Sequence, residues 1–296
     1  MTTRNDAMRL RFAELAAATE SALADCFTGE APHRTLADAM RYSLCSGGKR
    51  IRAVLTLAFA RAAGGDERSA LDAACGVEML HAYSLIHDDL PCMDDSDVRR
   101  GKPSNHIAFG EWTATLAGDA LQAAAFERVL LSPLPPGRTA RMTLTLARAA
   151  GPDGICGGQA LDMDAEGKEL TVGQIGRIHA LKTAALFKAC ARMGVESAGG
   201  GGALADAAER YAESLGLAFQ IRDDVLDAVS DEAALGKPAR ADAYNVKSTF
   251  ASLLGVPECE RLIREETQRA VDALTPELGG DEFLAWLARS LAEREK

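Results

Sequence analysis

Apolar positions recur along this chain at the spacing of an α-helix. In residues 8–26 they lie three or four places apart, so they fall on one face of a helix. The same period runs through residues 51–63, 69–87, 112–131, 138–150, 173–194 and 203–227. No stretch alternates apolar and polar residues between turn signals, as a β-hairpin does. The pattern therefore predicts an all-α protein.

Short breaks separate these helical stretches. They lie at Gly64-Gly65, 132–137, Gly151-Pro152, 199–202 and 236–240. Glycine and proline interrupt helices, and breaks of this length are typical of connections between packed helices. We therefore predict a single domain over residues 1–296.

Composition and charge narrow the classes of function. The chain has 33 basic and 43 acidic residues, a net charge of −10, which argues against a nucleic-acid partner because such partners need a basic face. No apolar run approaches the ~20 residues of a membrane span, and the charged N-terminus lacks the apolar core of a signal peptide. The 7 cysteines are odd in number and include no CxxC pair, so we expect reduced thiols in a cytoplasmic protein.

The densest local signal is acidic. Five aspartates lie within residues 88–97, directly after an apolar helical stretch that Pro91 should end. We therefore expect Asp88 and Asp89 at a helix C-terminus, where the helix dipole is already negative. Negative side chains are unfavourable there, and a bound divalent cation is the simplest compensation for this repulsion. A solvated acidic turn would have the same pattern.

A second acidic cluster occupies residues 219–227. On a helix, Asp223 and Asp227 stand one turn apart, and Gln220 joins the same face. Bare carboxylates at this spacing repel each other, and a metal between them removes the repulsion. Oxygen ligands without cysteine or paired histidine favour magnesium, which completes its shell with water and substrate phosphates. Two such clusters predict a diphosphate substrate.

Basic segments supply counterparts for an anion. The segment 47–52 (GGKRIR) opens an apolar helical run, so its N–H groups and cations meet at a helix start. The segment 99–103 (RRGKP) follows the first acidic cluster, and arginine suits bidentate phosphate contacts. Lys182-Thr183, Lys237 and Lys247 are further candidates, although a lone lysine is more often a surface charge. GGKRIR is not a P-loop, because it lacks that spacing and a preceding strand.

Together these segments resemble the trans-prenyl diphosphate synthases, a family that includes the synthases of farnesyl and geranylgeranyl diphosphate. GGQALD (157–162), KTAALF (182–187) and FQIRDDVLD (219–227) fit the same family, and the motifs follow its order from about Gly47 to Phe250. The resemblance implies an isoprenoid synthase fold, with antiparallel helices around a deep central cavity, in a homodimer. It also implies condensation of isopentenyl diphosphate with dimethylallyl or geranyl diphosphate, with three Mg²⁺ ions in each active site.

The resemblance implies roles for individual residues. It assigns to magnesium Asp88, Asp89 and Asp94 of the first cluster and Asp223, Asp224 and Asp227 of the second. It assigns to the allylic diphosphate Arg99, Lys182, Thr183, Gln220, Lys237 and Lys247. It assigns to isopentenyl diphosphate Gly48, Lys49, Arg52, His81 and Arg100. Catalysis then falls to Asp88, Asp89, Asp94, Lys182, Thr183, Gln220 and Asp223. The Lys182 carbonyl, the Thr183 hydroxyl and the Gln220 amide would offer oxygen dipoles to the allylic cation.

Two positions depart from the family's pattern. Arg240 stands where the family usually has a small residue, and Phe250 stands where it usually has the tyrosine of lysine-x-threonine-tyrosine. Both bear on the details of the 237–250 segment and not on the reaction.

Tyr83 is the candidate that limits product length, with Ser84 beside it. It lies five residues before Asp88, which is roughly 7.5 Å along a helix axis. An aromatic residue there, with the two extra residues Pro91-Cys92 in the first cluster, resembles bacterial farnesyl diphosphate synthases. The resemblance implies a fifteen-carbon product. An ordinary core tyrosine, with geranylgeranyl diphosphate as the product, is the alternative.

Other classes explain less of the sequence. A terpene cyclase would share the metal clusters but would not need the isopentenyl site at Lys49, Arg52 and His81. A non-catalytic partner subunit is expected to lack one aspartate cluster, and both are complete here. An acidic helical scaffold would leave the basic segments unexplained.

Overall fold

The computed structural model describes residues 3–30, 32–235, 248–275 and 277–294. Its helices are α1 (Arg4–Ala24), α2 (Arg34–Leu44), α3 (Ile51–Ala62), α4 (Leu71–Asp88), α5 (Asn105–Phe109), α6 (Glu111–Leu130), α7 (Pro136–Ala150), α8 (Ile155–Asp164), α9 (Val172–His179), α10 (Ala185–Ser197), α11 (Ala203–Leu235), α12 (Phe250–Leu254), α13 (Val256–Ala273) and α14 (Glu282–Ala292). A 3₁₀ turn (Glu67–Ala70) precedes α4, and a π-helical turn (Ala180–Ala184) joins α9 to α10. The all-α prediction is confirmed.

The chain forms two compact units. The first comprises Met1–Ala147 and Arg192–Gly200, and the second comprises Arg148–Ala191 and Gly201–Lys296. The helices α7 and α10 have residues in both units. The single domain over residues 1–296 stays a prediction. Within the described ranges, every helix is too short or too polar to span a bilayer.

In the first unit, α4 is the central helix. It is apolar on all sides, as expected for a helix with neighbours all around it, and packs against α3 and extensively against α6. It ends at Asp88, three residues before Pro91, as the sequence predicts. Its burial matters for function because the first aspartate cluster follows directly from its C-terminal end.

A buried ion pair fixes the loop before α3. Arg50 has a φ of +50° and a side chain only 2% exposed. Its guanidinium lies 3.1 Å from Glu78 Oε2, 2.7 Å from Glu20 Oε1 and 2.7 Å from the Leu44 carbonyl oxygen. The other Glu78 oxygen accepts the Ala53 N–H at 3.1 Å, which satisfies an open donor in the first turn of α3. Arg50 is therefore a structural anchor within GGKRIR.

In the second unit, α11 is the longest helix. It runs over 33 residues and packs against α13, and its residues Ile221 and Val225 lie in a core that also contains Ile175, Phe250 and Ile263. Its described length exceeds the predicted helix 203–227. The buried apolar face of α11 holds the second aspartate cluster on a rigid element.

Local structure departs from the sequence prediction at two points. The predicted helix 173–194 is divided by the π-helical turn Ala180–Ala184. A hairpin also occurs where none was predicted: β1 (Val98–Arg99) pairs antiparallel with β2 (Lys102–Pro103). The two turn residues, Arg100 and Gly101, have φ values of +54° and +74°, which is the type I′ pattern of a tight hairpin. Strands of two residues are too short to show alternation.

We expect Glu78→Ala to lower the free energy of unfolding by about 3–5 kcal/mol, because it leaves the buried Arg50 guanidinium short of its partner. Urea unfolding followed by circular dichroism measures the change. The control is Glu14→Ala, which removes an exposed ion pair with Arg11 and should cost less than about 1 kcal/mol. Equal effects of the two substitutions would contradict the structural role given to the Arg50–Glu78 pair.

Candidate active site

The first aspartate cluster folds back over the end of α4. Asp88 and Asp89 are buried at the helix C-terminus, and Asp94 is exposed in the following loop. The Asp94 N–H donates to the Asp88 carbonyl at 2.9 Å, and the Ser96 N–H donates to the Asp89 carbonyl at 3.2 Å. These bonds satisfy carbonyls that the end of the helix leaves open. The predicted position of the cluster is confirmed.

Asp89 is held by an arginine of the hairpin. Arg99 Nε lies 3.0 and 3.2 Å from the two Asp89 oxygens, and the Asp89 side chain is 3% exposed. The hydrogen bond to Asp89 raises the pKa of Arg99 despite its partial burial. Asp89 therefore positions Arg99 in this structure. A role for Asp89 as a metal ligand stays a prediction.

The GGKRIR and RRGKP segments meet at one point. The Arg100 guanidinium donates to the Gly47 carbonyl and lies against Gly48. A Cβ on Gly48 would lie 2.9 Å from Arg100 Cζ, and Gly48 has a φ of +125°. Only glycine permits both the backbone conformation and this close approach. The two basic segments that the sequence identified separately thus form one surface.

This surface is a basic pocket of the first unit, lined by Arg50, His81, Arg99 and Arg100. Arg52 extends it, with its Nη1 3.3 Å from His81 Nε2. Glu78 and Asp89 also line the pocket, but they are paired with Arg50 and Arg99.

Arg100 forms no ion pair with a described carboxylate; its contact is the Gly47 carbonyl. Burial, reinforced by Arg50, lowers the pKa of Arg100. Burial, reinforced by Arg52 and Arg100, holds the pKa of His81 well below its usual value, so the imidazole is neutral. Several guanidiniums that lie this close with incomplete compensation indicate an anion site.

In the second unit, Lys182 and Thr183 lie in the π-helical turn. Such turns are uncommon and often occur at functional sites. Gly158 on α8 allows the turn to pack closely, since a Cβ there would lie 2.6 Å from the Lys182 Cα. One turn further along α8, Asp162 Oδ2 accepts a hydrogen bond from the Lys182 ammonium at 2.9 Å. Asp162 was not among the predicted site residues, although its i, i+4 spacing from Gly158 within GGQALD places both residues on one face of α8.

The second aspartate cluster lies on α11 next to this turn. Thr183 Oγ1 donates to Gln220 Oε1 at 3.0 Å, so the two predicted oxygen donors are in contact. Gln220 Nε2 in turn lies 3.3 Å from Asp224 Oδ1. Asp224 is buried, and burial raises the pKa of its carboxyl to about 6. Asp223 and Asp227 stand on the more exposed side of the helix.

Arg294, which sequence reasoning left unassigned, holds Asp223. Its Nη2 lies 2.6 Å from Asp223 Oδ1 and 2.9 Å from the Phe219 carbonyl oxygen. Its guanidinium also stands 3.7 Å above the Phe219 ring, a cation–π contact. No local sequence signal could reveal this contact, because Arg294 is 71 residues from Asp223 along the chain.

The remaining predicted positions fall into three groups. Tyr83 and Ser84 are buried in α4, and the Tyr83 ring meets the His87 ring edge-on at 5.7 Å. Lys237, Lys247 and the unusual Arg240 lie outside the described residues. Lys49 is exposed on the loop of the basic pocket.

The donor set of the aspartate clusters suits magnesium. Within the described ranges, no group of three or more His, Cys, Asp or Glu residues is arranged to enclose a metal ion. Magnesium does not need such a group, because it is commonly bound through one or two carboxylates, with waters and substrate phosphates completing its shell. Asp88 and Asp94 in the first unit, and Asp223 and Asp227 in the second, offer hard oxygen ligands of this kind.

A helical chain with two aspartate clusters and a pocket of several guanidiniums has the groups that isoprenoid diphosphate chemistry requires. The apo crystal structure of an FPP/GFPP synthase from Zymomonas mobilis matches it with a TM-score of 0.87 and 34% identity, over 97% of this chain and 99% of the other. The fold class is thus that of the isoprenyl synthases.

The chain belongs to the polyprenyl synthetase family, whose sequence model matches residues 33–275. It is 43% identical to the farnesyl diphosphate synthase of Escherichia coli (strain K12) over 266 residues, 88% of this chain and 89% of that protein. It is also 44% identical to geranylgeranyl pyrophosphate synthase 11 of Arabidopsis thaliana over 241 residues, 79% of this chain and 67% of that protein. Trans-prenyl transfer is therefore its activity.

We expect Gly48→Ala to weaken the binding of inorganic diphosphate about tenfold, because backbone strain of roughly 1–3 kcal/mol would move the loop away from Arg100. Titration calorimetry without magnesium measures binding to the basic pocket. Gly201→Ala is the matched control, since no neighbour lies within 4 Å of a Cβ there. Unchanged affinity in Gly48→Ala would show that the contact with Arg100 is not needed.

Proposed function

We propose that this chain condenses isopentenyl diphosphate with dimethylallyl and then geranyl diphosphate to give farnesyl diphosphate, with release of diphosphate at each step. The observation that carries the proposal is the Arg100 guanidinium, which lies beside the other guanidiniums of the basic pocket and forms no ion pair with a described carboxylate. A diphosphate supplies the charge that this pocket lacks. We assign the pocket to isopentenyl diphosphate, with Gly48, Lys49 and the neutral His81 completing it.

The aspartate clusters serve the allylic diphosphate. We propose Asp88 and Asp94 in the first unit, and Asp223 and Asp227 in the second, as the residues that would hold magnesium. Three ions in each active site are expected from the family resemblance. Bound magnesium would neutralise the charge that develops on the diphosphate as its bond to the allylic carbon breaks. Asp89 as a metal ligand stays a prediction from the family resemblance, and the role of Asp224 is argued below.

The protein's own groups direct the reaction. The family resemblance assigns Arg99 and Lys182 to the allylic diphosphate, with Lys237 and Lys247 as further candidates. The Thr183 hydroxyl and the Gln220 amide, which contact each other at 3.0 Å, present oxygen dipoles to the allylic cation. That cation attacks the double bond of isopentenyl diphosphate, and a proton then leaves to the departed diphosphate. Apolar surroundings protect the cation from water.

We propose that the Tyr83 side chain limits the length of the product. Its ring is buried in α4 about 7.5 Å from Asp88 along the helix axis and is supported by the His87 ring. His87 Nε2 in turn lies 3.0 Å from the Thr115 carbonyl oxygen of α6. A ring supported in this way resists a growing prenyl tail, which favours farnesyl over geranylgeranyl diphosphate. Relatives of both kinds have similar identity to this chain, so the proposal rests on Tyr83.

We expect the purified protein to elongate dimethylallyl and geranyl diphosphate with isopentenyl diphosphate, and only when magnesium is present. Each starter is supplied separately, with or without chelator, and the dephosphorylated alcohols are identified by mass. Farnesol should be the main product, and Tyr83→Ala should shift the products toward geranylgeraniol.

The possible results separate the alternatives. Geranylgeraniol from the unaltered protein would contradict the role of Tyr83 and leave prenyl transfer intact. A hydrocarbon formed from an allylic diphosphate alone would indicate a cyclase. Folded protein that elongates no starter would indicate a non-catalytic partner subunit.

We also propose a homodimer formed through α6. Trp112, Leu116 and Leu130 are exposed along this helix, and Trp112 is 70% exposed. An apolar stripe on a surface helix is typical of an interface, and identical chains associate most often as twofold dimers. The cytoplasmic location proposed here is supported by the seven cysteines, which form no disulfide.

We expect Leu116→Glu to convert the dimer to a monomer, because the substitution places a charge within the apolar stripe. Size-exclusion chromatography with light scattering should give twice the chain mass of 31.3 kDa for the unaltered protein and a single chain mass for the variant. The control is Leu10→Glu, which alters a residue 60% exposed on α1 and should remain dimeric. A monomeric unaltered protein would contradict the proposal.

A further inference from the structure

We infer that Asp224 is a positioning residue that fixes the orientation of the Gln220 amide, and that it does not bind magnesium. The inference rests on the proposed function, because it concerns the oxygen dipoles that face the allylic cation. It separates Asp224 from its neighbour Asp223, although the two adjacent aspartates look equivalent in the sequence.

Both oxygens of Asp224 already accept hydrogen bonds from the protein. Oδ1 lies 3.3 Å from Gln220 Nε2, and Oδ2 lies 2.9 Å from the Phe250 N–H. His179 approaches Oδ2 at 3.9 Å, and its ring stacks on Phe250 at 5.6 Å. The Asp224 side chain is 7% exposed, whereas that of Asp223 is 38% exposed. Magnesium keeps several of its waters, so a carboxylate enclosed in this way is a poor ligand.

The hydrogen bonds that link Asp224, Gln220 and Thr183 all run in one direction. A carboxylate only accepts, so Asp224 selects the NH₂ end of the Gln220 amide. Gln220 Oε1 then faces Thr183, whose hydroxyl donates to it at 3.0 Å. With its proton committed to Gln220, Thr183 turns its oxygen lone pairs away from that bond. Asp224 thereby determines where two oxygen donors of the active site point.

The second oxygen of Asp224 is held by a backbone N–H. Phe250 is the first residue of α12, and its N–H donates to Asp224 from a helix that begins with a Thr249 capping box. The Phe250 side chain lies in the same core as Ile221 and Val225 of α11. The carboxylate is therefore held from two elements, and its orientation does not depend on a metal.

The test compares Asp224→Asn with Asp223→Asn. One asparagine oxygen replaces the two acceptor oxygens, so the variant cannot hold both donors, and Gln220 is released to rotate. We expect kcat of Asp224→Asn to fall about tenfold to a hundredfold, the range for loss of a preorganised dipole. The KM for each diphosphate and the Mg²⁺ concentration for half-maximal rate should change less than about twofold. Asp223→Asn should instead raise the Mg²⁺ requirement at least about tenfold, because even the loss of a group that only orients a ligand typically weakens metal binding by about 10–100-fold.

Two measurements separate positioning from general damage. Mn²⁺ titration followed by electron paramagnetic resonance should show the same affinity in Asp224→Asn as in the unaltered protein, and a weaker one in Asp223→Asn. Thr183→Val combined with Asp224→Asn should cost less in kcat than the product of the two single effects, because both act through Gln220.

Should Asp224→Asn fail to fold, Phe250→Pro and Phe250→Ala make the same comparison. Proline removes the ring together with the N–H that donates to Asp224, and it is tolerated at the first position of a helix. Alanine removes the ring and keeps that donor. We expect a lower kcat in Phe250→Pro than in Phe250→Ala, at an unchanged Mg²⁺ requirement.

An Asp224→Asn variant with full kcat, or one that needs as much additional Mg²⁺ as Asp223→Asn, would overturn the inference while leaving the proposed function intact. Failure of the proposed function has a different signature, since the unaltered protein would then not elongate any allylic starter.

Discussion

The structure depends on holding charges of one sign close together before any substrate arrives. Carboxylates at the end of α4 and along α11 repel their neighbours, as do the guanidiniums of the basic pocket. Desolvation adds a further cost at two of these groups, since it lowers the pKa of Arg100 and raises the pKa of Asp224. Such a site persists only on a scaffold that prevents the charges from moving apart.

Ion pairs within the protein offset much of this repulsion and desolvation. In each unit an arginine holds one cluster aspartate: Arg99 holds Asp89 in the first, and Arg294 holds Asp223 in the second. The Arg50–Glu78 pair fixes the loop that receives Arg100, and Asp162 holds Lys182. Arg100 has no anionic partner among the described residues, so an anionic ligand would balance its charge. The arrangement thus points to diphosphates.

The sequence predicts the helices and the chemistry better than it predicts the contacts. Periodicity and Pro91 located the end of α4, and the i, i+4 spacing placed Asp223 and Asp227 on one helix face. The π-helical turn at Lys182 was not predictable, because it depends on packing against Gly158 and leaves no period of its own. Nor could the sequence distinguish Asp223 from Asp224, since their difference lies in the distant partners Arg294 and Phe250.

The central claim is that one diphosphate site is built from guanidiniums and the other from carboxylates that need metal. Titration calorimetry with isopentenyl diphosphate, and separately with the unreactive dimethylallyl thiolodiphosphate, tests it most directly when each is measured in chelator and in magnesium. The account predicts that isopentenyl diphosphate binds with similar affinity in both buffers and that the allylic analogue binds only with magnesium. Isopentenyl diphosphate that requires magnesium, or an allylic analogue that binds equally well in chelator, would contradict it.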